Sequence, residues 1–244
     1  MFPLADDNPR ELTPYVNWAL MAVCAAVFLF QASLGGRASD VFIYGYGMIP
    51  ARLLEGAELP SDVRGLPAWA TVFSSMFMHD GWLHIGSNML FLWIFGDNVE
   101  DALGHVRYLA FYLVCGVGAA LAEAFLDPTS TAPMLGASGA ISGVLGAYIL
   151  LFPRANIRTL IFILLFIWVA NIPAWIVLGL WFAGQFAEAL FTSADQSGIA
   201  VWAHVGGLLA GMALIVVLRR PGFGLWQPAR SRAFAAKRQP RPWG

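Results

Sequence analysis

Gly136-Ala137-Ser138-Gly139-Ala140-Ile141-Ser142-Gly143-Val144-Leu145-Gly146-Ala147 is an uncharged run of small and aliphatic residues with a hydroxyl near its head. It reads as the start of a membrane helix whose glycines let a neighbouring helix come close. A second segment, Ala203-His204-Val205-Gly206-Gly207, opens another apolar run and carries Gly207 and Gly211 three and seven residues after His204. A hydroxyl and an imidazole thus stand at the heads of two helices with matching small faces.

Composition sets the same frame. Of 244 residues, 59% are apolar and 12% charged, and the mean hydropathy is +0.66; a soluble domain carries about a quarter charged residues. The chain reads as a polytopic, all-α membrane protein. Cys24 and Cys115 both lie in apolar runs, which excludes a disulfide framework and a CxxC site. The net charge is -1 and basic residues do not alternate with aromatic ones, so nucleic acid is not an expected partner.

A crossing helix needs about 20 apolar residues. Six candidate spans follow: Leu12 to Gly36, Trp82 to Phe95, Val106 to Leu126, Ser138 to Phe152, Pro173 to Phe191 and Ala203 to Leu218. Several are short, which predicts an aqueous recess below one surface. Residues 1–11 read as an N-terminal tail, 12–218 as one membrane domain, and 219–244 as a basic C-terminal tail. The acidic leader before the first span is wrong for a targeting segment. The long connection 37–81, with Pro50, Pro60 and Pro67, reads as a structured flap. Thr159 to Ile172 is apolar and uncharged; it reads as an interfacial hairpin or as an extension of the fifth span.

Lys and Arg favour the cytoplasmic side. The tail's Arg219, Arg220, Arg230, Arg232, Lys237, Arg238 and Arg241 therefore predict both termini in the cytoplasm, and a bacterial plasma (inner) membrane is the expected location. Ser138, His204 and the outer end of the second span then share one depth near the outer face. His84 and Asn88, four apart, lie on one face of that second span. A serine hydroxyl needs a base to take its proton, and His204 suits that task. His84, Asn88 and the N–H groups at the head of the fourth span can donate to an oxyanion. His79 reads as holding loop water or structure, and His105 is too far away. Glu100 and Arg107 read as pinning spans two and three, and Glu123 and Glu188 as interfacial acids near the outer ends of spans three and five. Ser142 lies one turn too deep to be the nucleophile.

These pieces resemble the rhomboid family of intramembrane serine proteases: His79-x4-His84-x3-Asn88, Glu100-x3-Gly104-x2-Arg107 after Gly96, Gly136-Ala137-Ser138-Gly139 and His204-x2-Gly207-x3-Gly211, in order from about Phe73 to Leu218. The resemblance implies a six-helix bundle and a Ser138/His204 dyad without a catalytic acid. It also implies an oxyanion hole from His84, Asn88 and the Ser138 amide, single-pass membrane proteins as substrates, and no metal or cofactor. A rhomboid-like pseudoprotease that binds membrane helices without cutting them is the alternative. One departure stands out: where some members place an aromatic residue a turn below the nucleophile, this chain has Ser142.

Overall fold

The protein was analysed as a computed structural model that describes residues 1–163, 166–191 and 201–229. Its helices are α1 (Tyr15–Leu34), α2 (Gly36–Tyr46), α3 (Pro50–Leu54), α4 (Ala68–Ser74), α5 (Trp82–Phe91), α6 (Asp97–Leu103), α7 (His105–Leu126), α8 (Ser138–Leu151), α9 (Ala174–Phe191) and α10 (Val201–Leu218). Strands β1 (Phe2–Asp6), β2 (Asn156–Ile163) and β3 (Phe166–Pro173) form one small antiparallel sheet. By length and composition α1, α7 and α10 can each cross a membrane, and α8 and most of α9 are shorter apolar helices. The helical class expected from the sequence holds, with the sheet added at one end.

α8 is the centre of the bundle. Nearly all its side chains are buried, and α7 and α10 flank it. Close approach comes from glycine: a Cβ on Gly207 would collide with the Gly139 carbonyl, and one on Gly146 would fall 2.6 Å from the Leu208 carbonyl oxygen. Backbones that near gain dispersion contacts along their whole length, the main attraction available between helices in lipid.

The second span is one helix with a widened middle. Between α5 and α6, residues Leu92–Gly96 form a π-turn. The cause is visible in the neighbouring helix: Asn17 Nδ2 donates to the Leu92 carbonyl at 2.9 Å, occupying an acceptor of the helical ladder. Tyr108 in turn donates its hydroxyl to Asn17 Oδ1 at 2.8 Å.

One end of the bundle is tied by carboxylates. Buried Glu100 accepts the backbone N–H groups of Val16 (3.0 Å) and Asn17 (2.7 Å), capping the first turn of α1, which has no side-chain cap of its own. It also meets His105 Nδ1 at 2.5 Å. Glu100 therefore ties span two to span three through His105, as the sequence suggested, and pins span one to span two as well. Arg107 reaches the last residue of α10, donating to the Leu218 carbonyl at 3.3 Å. Arg220 donates to the Asp101 carboxylate at 3.0 Å. At this end too, β1 pairs with β2 and Asn156 bonds both carboxylate oxygens of Asp7.

The opposite end is built from the long first loop. It folds into α2, α3 and α4 with a 3-10 turn at Ser75–Phe77, as a flap would. Met48 and Met134 exchange backbone hydrogen bonds (3.1 and 2.7 Å), and Gly136 N–H donates to the Ser75 carbonyl at 2.9 Å, so the flap holds the approach to α8.

The apolar stretch after α8 is a β-hairpin. β2 and β3 pair in register from Asn156↔Pro173 to Ile163↔Phe166. Ile, Thr, Phe, Trp and Val dominate it, the residue types that suit a pleated surface. Phe162, Phe166, Ile167, Trp168 and Val169 are exposed on it.

Candidate active site

Ser138 is the first residue of α8, so its backbone N–H has no partner within the helix and lies at the positive end of the helix dipole. Ahead of it, Gly136 has φ +127, a conformation that side-chain-bearing residues rarely adopt. Its missing side chain also leaves space. A Cβ there would sit 2.8 Å from His84 Nε2 and 3.6 Å from Ser138 Oγ, so the imidazole and the hydroxyl border the same small void.

His204 lies in the first turns of α10 and is buried. Its Nε2 is 2.8 Å from Ser138 Oγ. Its Nδ1 is 2.7 Å from Gln185 Oε1 on α9. Donation of Nδ1–H to the amide oxygen leaves the Nε2 lone pair facing the serine hydroxyl, the tautomer a general base needs. The indole of Trp181, one turn before Gln185, lies against the imidazole, with ring centroids 5.7 Å apart and planes tilted by 42°.

The two donors expected from span two behave differently. Asn88 is buried and lines the same cavity, and its Nδ2 has no hydrogen-bond partner among the described residues. His84 Nδ1 is 2.6 Å from Asp80 Oδ1. With Nδ1–H given to that carboxylate, His84 Nε2 can donate only as the imidazolium, whereas the Asn88 amide donates at any pH.

Ser142 points its hydroxyl elsewhere: its Oγ donates to the Ser138 carbonyl at 2.8 Å, and the side chain is buried. His79 is buried outside the dyad, its ring 5.1 Å from that of His84. Burial, with the neighbouring His84 charge, lowers its pKa to about 4. Glu123 is not simply an interfacial acid: its Oε2 accepts the Ala203 N–H at 2.9 Å, capping the helix that carries His204. The side chain of Glu188 and the stretch 192–200 lie outside the described residues.

Ser138, His204, His84, Asn88, Gln185 and Glu123 face one cavity of 1010 Å³, large enough for an extended peptide segment. Sequence reasoning brought Ser138, His204, His84 and Asn88 together, and the structure does the same. It missed Gln185 and Trp181. No spacing links them to His204, since their role arises only where α9 crosses α10.

Comparisons with known proteins point to one family. A family model described as Rhomboid domain matches residues 67–221. The chain is 27% identical over 222 residues to the rhomboid protease GlpG of Klebsiella pneumoniae, covering 88% of this chain and 67% of that protein. It is 28% identical over 214 residues to the rhomboid protease GluP of Bacillus subtilis, covering 86% of this chain and 36% of that protein. It is 30% identical over 164 residues to the chloroplastic Rhomboid-like protein 11 of Arabidopsis thaliana, covering 63% of this chain and 54% of that protein. The chain thus spans about half the length of the chloroplastic relative and about a third of GluP.

Proposed function

This chain belongs to the rhomboid family, and from that premise we propose that it is an integral membrane serine endopeptidase that cuts single-pass membrane proteins in or near their transmembrane segments. The observation that carries the reading is the 2.8 Å contact between His204 Nε2 and Ser138 Oγ, made between two helices inside an apolar bundle.

In the proposed reaction His204 Nε2 takes the Ser138 hydroxyl proton as Oγ adds to the substrate carbonyl carbon. The oxyanion so formed is met by the Asn88 amide and the Ser138 N–H, with His84 as a further donor when protonated. His204 then passes its proton to the leaving amine, and the C–N bond breaks to give an ester on Ser138. Water enters from the flap end and gives a proton to His204 as it adds to the ester carbonyl; the Oγ–C bond then breaks, His204 returns that proton to Ser138 Oγ, and the acid is released. In the proposed orientation the flap end is the outer face and both termini lie in the cytoplasm, as the arginines of the C-terminal tail suggest.

The test is cleavage of a model transmembrane substrate in proteoliposomes, paired with labelling by a serine-reactive fluorophosphonate. Ser138→Ala and His204→Ala are expected to abolish both. Retained cleavage in Ser138→Ala would overturn the reading, and an unlabelled wild-type chain would turn it into a binding protein without protease activity.

A further inference from the structure

We propose that Gln185 of α9 is the positioning residue for His204, so that the dyad is aligned only while α9 is seated against α10. This rests on the endopeptidase reading above.

The need arises at position 142. Ser142 spends its hydroxyl on the Ser138 carbonyl and offers no ring face to hold the imidazole from α8. Both restraints come from α9 instead. Gln185 Oε1 takes the Nδ1 edge at 2.7 Å. The Trp181 indole lies tilted against the ring, and it is itself set against Phe91 of α5 at 5.5 Å between centroids. An imidazole has two tautomers and a free ring torsion; an acceptor on Nδ1 selects one tautomer, and a flat neighbour limits the torsion. A neutral amide does this without the charge that a carboxylate would add beside the imidazolium.

The attachment of α9 makes this a link between helix position and chemistry. Its buried side chains, Ala174, Val177 and Leu178, lie in its first turns, next to the hairpin end. Towards the site, Trp181 and Gln185 are only half-buried, and Phe186 is exposed. Among the described residues, the end of α9 that faces the cavity is held by Trp181, Phe182 and Gln185, two of which orient His204. Moving that end outward breaks the Nδ1 bond, and moving it back restores the tautomer.

The other titratable groups around this cavity are Asp80 and His84 ahead of and within α5, and Glu123 and Asp127 at the end of α7. None of them is hydrogen-bonded to Nδ1 among the described residues. The pH behaviour of His204 should then respond to what stands at position 185.

The experiment uses the full chain in proteoliposomes, with fluorophosphonate labelling of Ser138 and turnover of a model transmembrane peptide followed from pH 5 to 9. Gln185→Met keeps length and removes the acceptor. It is expected to lower kcat and the labelling rate about 10- to 100-fold with little change in KM. Gln185→Glu keeps the acceptor and adds charge; it is expected to restore labelling and move the acid limb of the rate profile upward by about 1 pH unit or more. Wild-type labelling in Gln185→Met, or an unmoved acid limb in Gln185→Glu, overturns the inference while leaving Ser138 and His204 in place. A wild-type chain that does not label at all overturns the endopeptidase reading beneath it.

Discussion

Asn88 Nδ2 is a buried amide nitrogen without a partner among the described residues, whereas Asn17, Gln31 and Asn156 all donate theirs. An unmade hydrogen bond in such a place is costly, and it persists where a ligand or intermediate completes it. Asn88→Ala should therefore lower turnover of a model substrate by about 10²- to 10³-fold while leaving thermal stability unchanged or slightly raised. A variant that turns over at the wild-type rate would remove Asn88 from the oxyanion site. The residue scale is where the sequence was most legible. Ser138, His204, His84 and Asn88 each occupy a position whose helical spacing puts them at one depth, and burial of a polar group in an apolar span is itself a signal. Gln185 was not legible, because a glutamine in a helix announces nothing until the neighbouring helix is in place.

At the scale of elements, the dyad depends on how closely α8 and α10 approach. Gly207 sits directly over the Gly139 carbonyl, one turn below His204, so a methyl group has nowhere to go without separating the helices. Gly207→Ala is expected to cost about 1–3 kcal/mol of stability and to depress fluorophosphonate labelling by more than ten-fold while helix content is retained. Circular dichroism and labelling on the same sample separate these effects, and full labelling would show that the contact tolerates a wider gap. The glycine spacing made this pair readable in advance, because small residues at regular helical intervals have few other uses in a membrane helix. The hairpin of β2 and β3 was readable only as far as its being a hairpin. Periodicity cannot distinguish a short apolar strand from a buried helix, and the available arbiter was the crowding of Ile, Phe, Trp and Val from Ile157 to Val169. The π-turn at Leu92–Gly96 had no local signal at all, since its cause is Asn17 on another helix.

At the scale of the whole molecule, the two ends of the bundle carry titratable groups whose contributions to stability run in opposite directions. Asp6 accepts the Tyr148 hydroxyl at 2.6 Å beneath the sheet, and burial pushes its carboxyl up to about 7 from its ordinary 3.8. The folded state therefore holds a proton on Asp6 that the unfolded chain releases, and this contribution to stability declines as pH rises from about 4 to 7. His79, at the flap end, is lowered from 6.5 to about 4, so the unfolded chain takes up a proton that the folded state refuses. Its contribution is complete above pH 6.5 and is lost as pH falls towards 4. Across the same window the two slopes oppose, and the wild-type chain should show a pH dependence of thermal stability that lies between those of the two single variants. Asp6→Asn keeps an acceptor for Tyr148 and removes the titration, so it should leave the His79 slope unopposed by Asp6, with a melting temperature that climbs more steeply from pH 4 to 6.5 than that of the wild type. His79→Asn should do the reverse, its melting temperature falling from pH 4 to 7. Melting of the three proteins in one detergent decides the matter, and parallel profiles for all three would show that neither group carries a linked proton on folding.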